Sequence, residues 1–546
     1  MGRRSERDKR VRALAYFSPP AMVAAATARR LAGDWRGACA AARVDLHINP
    51  HDVATRYGTE AAARIAADLA GLAPDLLRRF LPRTETLALA PRASVVLSRR
   101  TGPLRPPAHH TSGRRVEPAV PVLVATLPRD GRAPQRIGLR VGEVGVLPER
   151  WYDLPDWCWH ADAVQARRWA YGASETRLAW HTPDGLPYRP DEVATVRGPV
   201  AQVATVEGPV DRAAEVETID GLLVLQRWPA ACGAAGIAVD LSVVRARYGW
   251  DRWSESRLPR LGPTLPVLAA EARRLAGRYG RTTLCAADHT SAVDVADDGV
   301  VTVRRTRADD RSEGPDPFAL PAPVEAALLS HGSLRPDDLH PLVHEALYPG
   351  RTQEWEVPPP VPAPPVRVRC GPDWHVVRVT GGRAFTAHHT EAELRREFLV
   401  AGLGGPIVGC ATAVRAWRTG AKPAPKQIRL LRRDLFALAF HGDTDALLAV
   451  LAEGFDPALR DGDGCSLLHW LAHLDHTRML PVLMAAGLVV DERDRHGNTP
   501  LHLAVRSGDR EVMAALVAAG ADPQAPDAWG RTPEDVFVHS RRTAGR

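Results

Sequence analysis

Two histidines four residues apart on a helix share one face and can hold a metal ion together. His340 and His344 have that spacing, and Glu345 follows directly. A zinc hydrolase would need a second histidine at position 348, where this chain has Tyr348. Without a third ligand the pair reads as a structural or surface pair. His109-His110 and His388-His389 are adjacent pairs, and neighbours point apart on a strand or a helix. Asp294, Asp297 and Asp298 do not fit a calcium loop; a β-turn explains them. The seven cysteines (Cys39, Cys158, Cys232, Cys285, Cys370, Cys410 and Cys465) never form C-x-x-C. A zinc ribbon or a disulfide framework needs paired, regular spacing. They read as reduced thiols packed as small apolar groups in a cytoplasmic protein. No metal and no cofactor is expected.

Other chemistry is as thin. The chain has no Gly-Lys dipeptide, so no phosphate-binding loop of the G-x-x-x-x-G-K type. It has no G-x-S-x-G, H-R-D or D-F-G. No catalytic residue is assigned, and the reading leans away from an enzyme. The densest aromatic stretch holds Trp151, Tyr152, Trp157, Trp159, Trp169, Tyr171 and Trp180. It is a core or the floor of a ligand pocket, with the core preferred. Residues 52–70 read as two helices turning at Gly58, like a helix-turn-helix. The second offers only Arg64 against Glu60 and Asp68, which is poor equipment for phosphates and base edges.

Behind these residues stands a chain of 546 residues, long enough for several domains. Apolar residues make up 45% and charged residues 25%, which excludes wholesale disorder. The net charge is +7, but only three of the 71 cations are lysines. That skew, with abundant Ala and Pro, points to a high-GC bacterial genome and weakens arginine count as functional evidence. No run reaches the length of a membrane helix. The basic start and the apolar stretch 13–28 resemble a leader. Glu6, Asp8, Pro19-Pro20 and Arg29-Arg30 favour an ordinary helix instead.

Residues 1–85 read as a helical region of short, Ala-rich helices. Residues 86–355 read as mixed α+β: the turn Arg129–Arg132 predicts a hairpin of Val122–Val124 with Ile137–Leu139. Helices are expected at 161–171, 266–277, 323–330 and 336–348, and a second hairpin around Asp297-Asp298-Gly299. Residues 356–366 carry six prolines in eleven positions, a stiff linker. Residues 367–425 form a small α+β unit with two strands and two helices. A short tandem, 193–200 repeated at 203–210, reads as a loop insertion or hairpin.

The C-terminal region repeats at 33 residues. Gly464, Gly497 and Gly530 mark the period, as do Gly454, Gly487 and Gly520. The best copy contains Thr499-Pro-Leu-His-Leu-Ala504. Thr499 can cap a first helix, with Pro500 at its first position, where a missing N–H costs nothing. Gly508 separates the first helix from the second. Residues 432–546 resemble ankyrin repeats on this signature and period. The first copy keeps only its helix pair, and the last has Glu534-Asp535, so both resemble caps. The stack is expected to lean on the helix at 406–419, since so few repeats bury little core.

The fold class is therefore α+β: a helical and mixed α/β N-terminal region, then an all-α ankyrin solenoid. The resemblance implies protein–protein interaction, as an adaptor or scaffold. By position in the family, partner-facing residues would be Asp461, Asp463, Arg495, His496, Asn498 and Trp529 on the fingers. Trp470, His473, Leu503 and Arg506 would serve on the first helices. It further implies that His502 and His469 bridge turn to helix. The general layout resembles uncharacterised ankyrin proteins of high-GC bacteria and carries no residues over elsewhere. Residues 431–546 hold 12 basic and 17 acidic side chains, leaving +12 on the rest. An acidic stack suits a protein partner better than a polyanion. Nucleic acid and membrane are not the expected partners. Two other readings stay open: an enzyme or small-molecule sensor in residues 86–355 with the repeats as targeting arm, and nucleic-acid binding by the N-terminal helices.

Overall fold

The computed structural model describes residues 2–99, 103–104, 120–147, 150–182, 186, 188, 211–240, 243–246, 249–252, 264–285, 291–305, 321–354, 365–380, 383–420 and 422–544. The tandem at 193–210, His109-His110 and most of the Pro-rich segment lie outside the described residues. The chain divides into two compact units, 1–131 with 136–357, and 132–135 with 358–546.

The first unit is built on a five-stranded sheet. Its strands are β1 (Val44–His47), β2 (Ser94–Leu97), β3 (Pro121–Thr126), β4 (Ile137–Glu143) and β5 (Trp151–Leu154). The spatial order is β1-β4-β3-β2-β5, with the two outer pairings parallel and the inner two antiparallel. β3 and β4 form the expected hairpin, Val124 facing Arg140 across it. The pairing of β1 with β4 ties residues before 85 to the same sheet as those after 86. Alternate residues leave opposite faces, the period-two geometry of a strand. Val95, Leu97, Leu123, Ala125 and Leu139 meet helices from residues 20–80, 164–170 and 341–347. Val96, Val122, Val124 and Trp151 meet the helix Leu265–Tyr279 and a second sheet. Both faces are covered, which is why every residue of β2 is buried and its last three are apolar in succession.

That second sheet runs β6-β11-β10-β9, from β6 (Ile237–Asp240), β9 (Thr283–Cys285), β10 (Ser291–Val295) and β11 (Val301–Arg305). β10 and β11 make the hairpin expected around Asp297-Asp298-Gly299. β7 (Val243–Ala246) and β8 (Gly249–Arg252) pair separately.

In the second unit, β12 (Val366–Cys370), β13 (Asp373–Thr380) and β14 (Arg383–Thr386) form an antiparallel sheet. Val366, Val368, Val377 and Val379 pack with Leu394, Val414 and Trp417 of the helices Glu391–Gly402 and Gly409–Thr419. Helix pairs follow: Lys426–His441 with Thr444–Ala452, Leu467–His473 with His476–Ala485, and Pro500–Ser507 with Arg510–Ala518. Pro533–Ala544 closes the stack. The helix Gly409–Thr419 supports the first pair. Trp417 meets Phe455 edge to face at 6.3 Å, and Arg432 donates to the carbonyls of Ala416 and Trp417.

The copies differ where their caps differ. Gly508 ends Pro500–Ser507 at φ 75°, the left-handed conformation that costs glycine little. Asp475 stands 33 residues earlier and caps the next helix instead. Leu467–His473 accordingly winds as a 3-10 helix and leaves through an extended Leu474. Among the described residues, no helix is long and apolar enough to cross a membrane.

Candidate functional site

The finger loops of the stack are held by one aspartate per copy. The Asp461 carboxylate accepts from the backbone N–H groups of Asp463 and Cys465 at 2.8 and 2.9 Å. Asp494 accepts from His496 and Asn498 at 2.7 and 2.9 Å, and Asp527 from Trp529 and Arg531 at 2.8 and 2.9 Å. Each is an Asx turn, the side chain standing in for a backbone acceptor. Neighbouring fingers then join backbone to backbone: Arg495 donates to Asp463, and Ala528 to His496, both at 3.0 Å.

Two further series run at the same period. His469 accepts the Ser466 N–H on Nδ1, and its Nε2 reaches the Asn498 carbonyl at 3.1 Å. His502 does the same with Thr499 and the Arg531 carbonyl, at 3.1 and 3.0 Å. Arg460 donates to Gly464 and to Arg493 one copy on, and Arg493 to Gly497 and Pro526.

A family model described as ankyrin repeats (3 copies) matches residues 435–527. Residues 435–527 are ankyrin repeats. No curated protein matches the chain. The turn-to-helix role expected of His469 and His502 is the geometry observed. The arginine series escaped the sequence reading, although Arg460 and Arg493 stand 33 residues apart and could have been found by the period used for the glycines.

The residues expected to face a partner divide into two groups. Trp529 is 62% exposed on the last finger. His496 stacks on it at 5.8 Å with rings 15° apart, and the Arg531 guanidinium lies 4.9 Å from its ring. Asp463, Arg495 and Arg506 are exposed and Leu503 is half-buried. The others serve the fold. Asn498 and His473 are buried, Asn498 donating to Asp494 and His473 reaching the Phe440 carbonyl. Asp461 holds its finger and accepts from Trp470 Nε1 at 3.2 Å. Trp470 is half-buried, edge-on to Phe440 at 6.1 Å. His473 and Asn498 are thus enclosed by the stack, whereas Asp461 and Trp470 keep part of their surface exposed beside their internal contacts. Asp461 belongs to the same 33-residue series as Asp494 and Asp527, which marks a turn residue.

Burial lowers the His469 pKa below the ordinary imidazole value. The unfolded chain therefore binds a proton that the folded stack resists, and stability falls as pH drops below about 6.5. Chemical denaturation at pH 7 and pH 5 should show a smaller acid loss in His469→Gln than in wild type. An equal loss in both would refute the assignment.

The other sequence candidates resolve structurally. His340 is fully buried, its Nδ1 accepting from the Leu342 N–H and its Nε2 lying 2.8 Å from Asp75. His344 is buried against Tyr348, with ring centroids 5.5 Å apart. Trp151, Trp157, Trp159, Tyr171 and Trp180 are all buried. Trp157 lies between Phe80 and Tyr171 at 5.1 and 6.2 Å, so these five are core, while Trp169 is 38% exposed and Tyr152 half-buried. Helices Pro50–Tyr57 and Thr59–Ala70 do turn at Gly58. On the second, Arg64 pairs with Glu60 at 2.7 Å and Asp68 is buried. His388 and His389 depart from expectation. They sit in a turn after β14, outside strand and helix, and both rings lie against His375, at 4.3 and 4.9 Å.

Proposed function

We propose that this protein is an adaptor whose ankyrin fingertips bind another protein. Ankyrin repeats are protein–protein interaction modules, and this chain carries three copies. The observation that carries the reading is Trp529: a large apolar ring, mostly exposed, with His496 stacked on it and the Arg531 guanidinium against it before any partner arrives. Rigid aromatic anchors of this kind dominate binding energy, because little side-chain freedom remains to be lost. Asp463, Arg495 and Arg506 are exposed elsewhere on the same stack and would add polar contacts. The described cysteines carry no disulfide, which supports a cytoplasmic setting.

The test is co-purification from the native cell, followed by affinity measurement on the captured partner. Trp529→Ala should weaken binding by about 2 kcal/mol, roughly thirtyfold, with the stack's melting temperature unchanged. Trp470→Ala should act on stability instead. A partner held undiminished by a Trp529→Ala/His496→Ala protein would reject the fingertip reading.

A further inference from the structure

Four metal-ligating side chains from four separate places in the second unit converge on one point. Cys370 ends β12 and His375 lies on β13. His389 stands in the turn after β14, and Cys410 is the second residue of the helix Gly409–Thr419. Their donor atoms all lie within 4.8 Å of one another. His375 Nδ1 is 3.1 Å from His389 Nε2, Cys370 Sγ is 3.2 Å from His389 Nε2, and Cys410 Sγ is 3.6 Å from His375 Nδ1. A tetrahedral zinc ion with ordinary Zn–S and Zn–N bonds places two nitrogens about 3.3 Å apart, and sulfur and nitrogen about 3.6 Å apart. The observed separations fall close to those values.

We propose that Cys370, His375, His389 and Cys410 bind one zinc ion in a closed, structural site. The donor set is two thiolates and two imidazoles, the borderline-soft combination that selects zinc over magnesium or calcium. Four protein ligands leave no open position, so the ion holds the fold together and does not activate water.

The backbone around the site supports this independently. Gly409 has φ +56°, and a Cβ there would lie 2.5 Å from Cys370 Sγ and 2.9 Å from its Cα. Only glycine lets the start of that helix come so close to the end of β12. The approach places Cys410 in the first turn of that helix, facing the end of β12. An outer shell is also present. Thr386 Oγ1 lies 3.9 Å from Cys410 Sγ, and the His388 ring stacks on His375 at an 8° angle. The site joins the hairpin β12–β13 to the helix whose Trp417 supports the first ankyrin helix pair.

The test uses the full-length protein, purified with a phosphine reductant and dialysed into metal-free buffer. Elemental analysis should find one zinc per chain. Replacement by cobalt should give the intense visible bands of a tetrahedral ion and a thiolate charge-transfer band. Cys370→Ser/Cys410→Ser should lose both signals. His389→Cys should keep one metal per chain and shift the cobalt bands, which separates ligand loss from misfolding. Thr386→Val should weaken retention by about tenfold, as an outer-shell change does. Protein with no zinc and only the weak spectrum of octahedral cobalt would overturn the assignment. So would zinc retained in full by the double cysteine variant.

Discussion

Asp153→Ala should destabilise the first unit by about 3 kcal/mol, read as a shift in the urea midpoint. Asp153 lies on β5 and is fully buried. Its carboxylate accepts from Arg274 at 2.8 Å and from the Tyr279 hydroxyl at 2.5 Å, and pairs with Arg278 at 3.2 Å. All three partners lie on the helix Leu265–Tyr279, so one side chain fastens that helix to the sheet. Alanine would leave the buried Arg278 cation without this anion and the phenol without its acceptor. Arg274 keeps Glu271 at 2.8 Å, which holds the loss near the lower end of the range for broken buried pairs. Asp153→Asn keeps the shape and one acceptor but not the charge, and should lose less. If alanine cost under about 1 kcal/mol, the network would not be the clamp its geometry indicates.

Trp417→Ala should cost the second unit about 3 to 5 kcal/mol, the range for a buried tryptophan whose cavity cannot collapse. Trp417 is 1% exposed. It packs with the valines of the small sheet on one side and with Phe455 on the other. Its carbonyl is fixed by Arg432 at 2.5 Å, so the helix backbone cannot readily settle into the space left behind. Hydrogen exchange should therefore quicken in the helix Lys426–His441 as well as at residue 417. Trp417→Phe should recover more than half of the loss. If exchange quickened only in the small sheet, the ankyrin stack would not depend on this contact.

Both effects arise from residues whose role no pattern announced, and the reason is instructive. The ankyrin part was legible because a repeat writes its geometry many times. Three glycines at one period, with threonine and histidine in fixed places, leave little else to form. The same period marks Asp461 as a turn residue, since Asp494 and Asp527 hold the corresponding fingers in the same way. The hairpins β3–β4 and β10–β11 were legible because their turns are local, and the distant partners of Asp153 were not.

Sequence alone thus determined two hairpins, the 33-residue period, the mixed α+β character of the N-terminal region, and Trp529 as a finger residue, but neither β1 within 1–85 nor β14, the third strand of the small sheet. These depend on neighbours a few positions away, through helix caps, turn residues and strand alternation. Tertiary structure decided which candidates remained free to act. It buried Trp151, Trp157, Trp159, Tyr171 and Trp180 but not Trp169, enclosed His473 and Asn498 in the stack, and tied Asp75 to His340 across 265 residues. It also gathered Cys370, His375, His389 and Cys410, whose spacing fits no linear motif because two strands, a turn and a helix supply them. Burial and convergence depend on which elements pack together, and a single chain's spacing carries no record of that.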